Sequence, residues 1–413
     1  MSYVLQGRLF TFESFLSEGD DNHRLVRVLD CLDADTLINK LDNERKRRKN
    51  WYPNRMLWNT LIAAKVYGIS KVSDLIRELS RNSDLRHICG VKKLPKAYHY
   101  SKFLAKLARE ENREMLVGIF HGAVGELKKL LPDLGASVAV DGTSVSSYCN
   151  RFAKEKSDKD AGWGVRKSKN ADGSEEIKSW YGYSVMLCVD TKYELPIGFE
   201  VIPANMSENP RLRSVLRDVK KRHPEMSMQC VIADAGFDST ENCRFVLNEL
   251  ESLPIIKMRL TQDKDKEFSG AICRCNELGT PICSCGHFMI YAGRDGKYLK
   301  FRCPKHKELR GGPCSDSTYG RVLKIAIYED MRRWPGLARQ TKKWERLYRR
   351  RTAAERLNSR LKEHLQLDEQ HVRGIGKVTV NATLSLLVMV GAALAMARKE
   401  RWKDLRRIVR LAA

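Results

Sequence analysis

The chain has 413 residues, and its 75 Lys and Arg residues against 51 Asp and Glu give a formal net charge of +24. This length is enough for two or three domains with a buried core. A composition of 42% hydrophobic and 31% charged residues excludes a disordered tail, a fibre and a polytopic membrane protein, and the positive charge predicts a polyanionic partner, either nucleic acid or an anionic membrane surface.

The N-terminal part of the chain is predicted to be helical. Apolar residues recur at helical spacing from Leu57 to Val66, stop at Gly68 and resume from Val72 to Leu79. A helix, a short glycine turn and a second helix form the outline of a helix-turn-helix, and the basic run 45–49 precedes it. An ordinary helical hairpin with a solvated basic face fits the same pattern.

A mixed sheet is predicted to follow. An apolar run from Ser137 ends at Asp141, and after a polar insertion at 154–178 the alternation at 181–189 and 195–202 predicts two strands joined by a turn. A basic amphipathic helix at 210–223, a buried strand ending at Asp234, a helix at about 239–250 and a strand at 254–258 come next. This order of elements predicts crossover helices on a mixed sheet.

Six of the twelve cysteines lie in one segment between the sheet and the C-terminal helices: Cys273, Cys275, Cys283, Cys285, Cys303 and Cys314. Such clustering indicates metal ligation in a reducing compartment rather than disulfides. Two explanations stay open, a structural zinc site with Cys283, Cys285, Cys303 and Cys314 as the preferred ligands, or reduced thiols without a metal.

The C-terminal part returns to helices from about Gly336. Residues 378–397 carry no charge, but Thr379 and Asn381 in their first half favour a buried helix over a membrane span. The N-terminus lacks the basic and apolar regions of a signal peptide. We therefore expect a cytoplasmic protein with no membrane partner.

Two aspartates are the first candidate metal ligands. Asp141 and Asp234 each end an apolar strand and are followed by small residues, and ligands gather at the carboxyl ends of strands in open α/β sheets. Neighbouring carboxylates repel each other unless a divalent cation bridges them, and oxygen ligands suit Mg²⁺ or Mn²⁺. The alternative is that either aspartate only starts a turn.

A third acidic residue lies in a strongly basic segment. Residues 348–362 contain no helix breaker, and a helix there would place Tyr348, Arg351, Glu355 and Lys362 on one stripe about 60° wide. Between Arg332 and Lys362 there are twelve Lys and Arg residues but only two Asp and Glu. Glu355 is therefore either an ion-pair partner or a metal ligand among phosphate-binding cations.

The spacing Tyr-x2-Arg-x3-Glu-x6-Lys in this segment resembles the signature of the DDE transposases of bacterial insertion sequences, in the subgroup named after these four residues. Residues 139–143 and 231–237 resemble the two aspartate strands of this family, 180–199 resembles the hairpin between them, and the N-terminal helices resemble its DNA-binding domain. Two positions depart from the family pattern, Phe237 in place of a frequent tyrosine and Ser184 in place of a lysine.

The resemblance implies a ribonuclease H-like catalytic domain that transfers phosphoryl groups on DNA with two Mg²⁺ ions about 4 Å apart, for which Mn²⁺ can substitute. Asp141 would bridge the ions, and Asp234 and Glu355 would complete one ion each. Arg351 and Lys362 would hold the phosphates next to the scissile bond, and Tyr348 would donate to a phosphate oxygen. The implied partners are double-stranded DNA, as terminal inverted repeats and target, and a second copy of the chain in a homodimer on DNA at the nucleoid.

The predicted fold class is therefore α/β, with this domain order: an all-α DNA-binding domain at 1–135, the first part of a ribonuclease H-like core at 136–260, a Cys-rich insertion at 261–320 and the helical remainder of the core at 321–413. The predicted function is cut-and-paste transposition of an insertion sequence. Two alternatives remain, a non-catalytic DNA-binding protein or regulator derived from a transposase, and a stand-alone metal-dependent DNA nuclease.

Overall fold

The computed structural model describes residues 21–44, 52–169, 175–259, 274–304, 314–315, 317 and 319–407, and of residues 167–169 and 175 it describes the backbone only. The basic run 45–49 and Cys273 lie outside these ranges.

In the described part of the chain, seven helices come before the first strand. They are α1 (Asp21–Cys31), α2 (Asp35–Asn43), α3 (Asn54–Val66), α4 (Val72–Arg81), α5 (Ser83–Cys89), α6 (Ala97–Leu107) and α7 (Glu110–Leu130). Between α3 and α4, Gly68 has a φ of +64°, which glycine adopts without a steric penalty. The predicted sequence of helix, glycine turn and helix is confirmed.

A six-stranded sheet follows these helices. Its strands are β1 (Ser137–Ser146), β2 (Gly162–Lys169), β3 (Glu175–Asp190), β4 (Pro196–Pro203), β5 (Cys230–Ala233) and β6 (Leu253–Ile256). Strand β3 pairs antiparallel with β1, β2 and β4, whereas β1, β5 and β6 run parallel to one another. Helix α8 (Arg211–Arg222) packs on β3 and β4, and α9 (Thr240–Arg244) with the π-helical turn Phe245–Glu249 connects β5 to β6.

The prediction of a polar insertion at 154–178 is wrong for its second half. Strand β2 and the first half of β3 form a two-stranded arm, with pairs from Gly162↔Gly182 to Lys169↔Glu175. Strand patterns depend on a buried face, and the odd-numbered apolar residues of this arm are exposed: Trp163 is 44%, Val165 62% and Ile177 59% accessible. The sequence therefore looked like a solvated loop.

A second, three-stranded antiparallel sheet extends from the Cys-rich segment past its predicted end at residue 320. Its strands are β7 (Ile290–Asp295), β8 (Tyr298–Arg302) and β9 (Val322–Ala326), in the order β7-β8-β9. Met289, Leu299 and Phe301 are buried in a small core of their own, separate from the main core. Trp334 links this core to the turn at Gly279, because its indole Nε1 donates to the Gly279 carbonyl at 2.7 Å.

Among the residues described after β9 there are three α-helices, α10 (Lys342–Tyr348), α11 (Thr352–Glu363) and α12 (Ile375–Ala397). Helix α11 packs on β1 and β3, and α12 packs against α1, α3, α6, α7 and β4. Although α12 is long and apolar enough to cross a membrane, 89% of its most apolar 18-residue window is buried inside the protein. It forms the centre of the core that the N-terminal helices share with the sheet.

A mixed sheet with flanking helices, a helical N-terminal region and an inserted cysteine cluster are all present, so the predicted fold class is confirmed.

Candidate active site and metal centre

Two of the predicted acidic residues lie side by side on the sheet. The parallel pairing of β1 and β5 ends at Val140↔Ala233, and Asp141 and Asp234 are the next residues on the two chains. Asp141 does not end its strand as predicted, because β1 continues to Ser146 along β3 after β5 has ended. Asp234 does end its strand, and its carboxylate accepts from the Gly236 backbone N–H at 2.8 Å.

The surroundings of Asp141 shift the pKa of its carboxyl group. Burial raises its pKa to about 6, and the negative charge of Asp234 acts in the same direction. The guanidinium groups of Arg351 and Arg166 oppose this rise in pKa. A buried carboxylate next to a second carboxylate is destabilised in its ionised form. A cation bound between the two would remove this free-energy cost.

The helix that carries Glu355 packs beside Asp141, on β1 and β3. The prediction of one helix through 348–362 needs correction, since a 3₁₀ turn at Arg349–Arg351 separates α10 from α11. This turn contacts β1 and β5. From there the guanidinium of Arg351 acts electrostatically on Asp141.

The stripe predicted on this helix is a set of contacts in the structure. The Arg351 guanidinium donates to the Glu355 carboxylate at 2.5 Å, and its positive charge acts on the phenol of Tyr348. Burial raises the pKa of the Tyr348 phenol, which therefore keeps its proton, and its ring stacks on Trp344 with centroids 5.0 Å apart. Asp234 and Glu355 both act electrostatically on Tyr348, so the two acids border the same group.

Lys362 reaches the site from the far end of α11. Its ammonium donates to the Ser144 carbonyl on β1 at 2.8 Å and lies 4.0 Å from the Asp368 carboxylate. Burial lowers the pKa of Lys362, and the positive charges of Lys178 and Arg166 lower it further. Each of the six residues predicted for the site is therefore linked to β1 or to another member of the set, by a hydrogen bond or an electrostatic interaction.

The structure adds a neighbour that the sequence pattern did not reveal. Asn358 lies one turn after Glu355 on α11, and its Nδ2 donates to Asp141 Oδ2 at 3.1 Å. Its buried Oδ1 has no hydrogen-bond partner among the described residues. The spacing of three residues from Glu355 was the available signal, because residues i and i+3 share a helix face.

Arg166 and Glu208 also border the site without having been predicted. Arg166 Nη2 lies 3.2 Å from the Gly142 carbonyl and 3.4 Å from both carboxylate oxygens of Glu208. The Cβ atom of a larger residue at position 142 would lie 2.8 Å from the Glu208 carboxylate. Glycine at this position therefore leaves room for the contact between Arg166 and Glu208. Both residues belong to segments that the sequence did not connect with Asp141.

The metal centre that the cysteines could form is compact. The Sγ atoms of Cys283, Cys285, Cys303 and Cys314 all lie within 4.8 Å of one another, with 3.5 Å between Cys285 and Cys303 and 3.7 Å between Cys303 and Cys314. Burial acts to raise the pKa of Cys283, but hydrogen bonds from the Cys285 backbone and the other thiols lower it to about 7.

These four are the preferred zinc ligands from the sequence, and Cys275 lies outside the group. Among the described residues this is the one set of three or more His, Cys, Asp or Glu side chains drawn so close together. Within the same residues, Asp141, Asp234 and Glu355 do not form such a set.

Comparison with known proteins adds two family matches. A family model described as "Transposase DDE domain" matches residues 136–390, and one described as "Transposase domain (DUF772)" matches residues 13–106. No curated protein matches the chain. A solved piggyBac transposase synaptic complex with hairpin DNA is similar, with a TM-score of 0.41 and 9% identity over 94% of this chain and 79% of that chain, a likeness too slight to carry an argument.

Proposed function

The chain belongs to the transposases with a DDE domain, and from this premise we propose that it cuts and joins DNA by two-metal phosphoryl transfer at Asp141, Asp234 and Glu355. The observation that carries the proposal is the meeting of Asp141 and Asp234, 93 residues apart in sequence, next to a helix that packs on β1 and carries Glu355. A protein that only bound DNA would not need acidic side chains surrounded by basic ones.

The donor set fits divalent metal. The three side chains offer oxygen atoms alone, which Mg²⁺ and Mn²⁺ prefer. Asp141 is destabilised as an anion by burial and by Asp234, and the unpaired Oδ1 of Asn358 beside it adds a further oxygen acceptor. The proposed chemistry uses two ions about 4 Å apart. Asp141, which lies beside Asp234 and within electrostatic reach of Arg351, the partner of Glu355, would bridge the ions, with Asp234 and Glu355 holding one ion each.

When bound, the metal ions would activate the attacking oxygen and stabilise the leaving 3′-oxygen. The residues of the chain itself bind and orient the DNA around that chemistry. Arg351 sits between Glu355 and Asp141 and offers a planar donor that can grip a phosphate with two hydrogen bonds. Lys362 acts as a point charge, and the protonated Tyr348 donates one hydrogen bond.

The remaining proposals follow from the family and the charge. The net charge of +24 suits binding to the backbone of double-stranded DNA, with terminal inverted repeats and a target as the two kinds of site. The N-terminal helices, matched to a transposase domain of their own, would form the DNA-binding domain ahead of the catalytic core. Action on two ends at once calls for a homodimer on DNA, in the cytoplasm at the nucleoid.

The test is to incubate the protein with Mg²⁺ and DNA that carries candidate terminal inverted repeats, and to measure strand cleavage and joining. Asp141→Asn is expected to abolish both while DNA binding persists. Glu345→Gln, an exposed acid one turn before Tyr348, is the matched control and should keep full activity. Full activity in Asp141→Asn would refute the site, cleavage without joining would indicate a nuclease, and binding with neither reaction would indicate a regulator.

For the cysteine cluster we propose a structural zinc ion. Tetrahedral Zn–S bonds of about 2.3 Å place sulfur atoms about 3.8 Å apart, close to the separations between Cys285, Cys303 and Cys314. Zinc content after purification without chelators should approach one equivalent per chain and be lost in Cys303→Ser. Cys275→Ser, which removes a nearby thiol outside the set, should keep the metal. Less than about half an equivalent in the unmodified protein would refute the site.

A further inference from the structure

The arm formed by β2 and the first half of β3 has two chemically different faces. Arg166 and Lys178 are direct partners in the antiparallel register, so their side chains point to the same side of the arm. Trp163, Val165 and Ile177 alternate with them and point to the other side. Arg166 and Lys178 thus form a basic pair on one face of the arm, and three exposed apolar residues lie on the opposite face.

The basic face is turned toward the candidate active site. Arg166 contacts the Gly142 carbonyl, one residue beyond Asp141, and Arg166 and Lys178 both act on the ammonium of Lys362. Three cations from distant parts of the chain therefore converge beside β1. Like charges so close together repel, and a polyanion lying among them would relieve that repulsion.

The approach of the arm differs from that of Arg351. The arm extends from β3, on one side of β1, whereas the 3₁₀ turn with Arg351 contacts β1 and β5 on the other side. Cations thus stand on both flanks of Asp141. A DNA strand with its scissile phosphate at Asp141 would need phosphate contacts in both directions along its backbone.

We propose that Arg166 and Lys178 are a phosphate clamp, which holds the phosphodiesters of the DNA strand on the β3 side of Asp141. The ligand class rests on the proposed function, since DNA is the polyanion. Glu208 holds the Arg166 guanidinium next to Gly142 until a phosphate takes it, with contacts of 3.4 Å that are too long to compete with a good phosphate bond. The half-exposed Arg166 is free to turn toward the strand.

The test measures how salt affects binding of the full-length protein to a duplex of random sequence. Each phosphate contact adds about −0.9 to the slope of log K against log salt, so R166Q/K178Q should make the slope shallower by about two. K220Q/K221Q is the control, because it removes two exposed positive charges from the last turn of α8 and should leave the slope unchanged. An unchanged slope in R166Q/K178Q, or an equal loss in the control, would overturn the clamp.

A second measurement separates the clamp from the catalytic proposal. Asp141→Asn should retain the full salt slope, and a wild-type protein that never cleaves DNA would sink the catalytic proposal while the slope still tests the clamp. With cleavable DNA, R166Q/K178Q should raise KM more than tenfold with a smaller change in kcat, as expected for contacts made equally in the bound and transition states. A fall in kcat alone would contradict this assignment. Unchanged thermal unfolding and zinc content of the variant show that its fold is intact.

Discussion

Substituting Asp141 should make the protein more stable while it destroys the proposed activity. Folding raises the pKa of this carboxyl from an ordinary 3.8 to about 6, chiefly through burial. Each pKa unit is worth about 1.4 kcal/mol, so the ionised side chain costs the folded state about 3 kcal/mol. Because the folded pKa is the higher one, the cost is small below pH 3.8, grows as the pH rises to 6 and is complete above it.

Asp141→Asn removes this charge and keeps the shape of the side chain. The variant should therefore exceed the wild type in free energy of unfolding by about 3 kcal/mol at pH 8 and by less than about 1 kcal/mol at pH 4. Denaturant unfolding at the two pH values, without divalent metal, measures the difference. Added Mg²⁺ should stabilise the wild type at pH 8 and affect the variant much less.

The control substitution should change the free energy of unfolding in the opposite direction. Hydrogen bonds from Lys300 and Lys324 lower the pKa of Asp295, so Asp295→Asn should reduce stability at pH 8 and change little once the carboxylate is protonated. An Asp141→Asn variant that is less stable than the wild type at pH 8, or whose gain does not depend on pH, would refute the reasoning.

Three further predictions concern single contacts. Asn358→Ala removes the amide that donates to Asp141 and should lower kcat for cleavage about ten- to hundredfold, measured against Ser359→Ala on the outer face of the same helix. Burial lowers the pKa of Lys65 to about 7. Its positive charge therefore destabilises the folded state below pH 7, and this destabilisation disappears as the pH rises to 10.5. Lys65→Met should accordingly gain more thermal stability at pH 6 than at pH 9.5. Trp334→Phe leaves the Gly279 carbonyl without its donor and should cost about 1–3 kcal/mol in denaturant unfolding.

The local sequence pattern was sufficient to predict a helix or strand where that element has a buried face. The apolar runs ending near Asp141 and Asp234, the alternation of β3 and β4 and the uncharged stretch of α12 each face a core, so their periodicity predicted strands and a helix. The same pattern failed on the β2–β3 arm, because the apolar residues that alternate there are few, exposed and set among charged residues. Nor did it reveal the 3₁₀ turn at Arg349–Arg351, which contacts β1 and β5.

By itself, then, the sequence determined the residue types and their spacing: two aspartates after apolar runs, a glutamate in a basic helical segment, and four thiols in one segment. Helical spacing links residues a few positions apart, which is why Tyr348, Arg351 and Glu355 could be grouped without coordinates. Only the tertiary structure decided that Asp141 and Asp234 are neighbours, that Arg166 and Glu208 stand beside them, and that the four thiols converge. These contacts join segments tens to hundreds of residues apart, and strand pairing and packing fix such distances where no local periodicity records them.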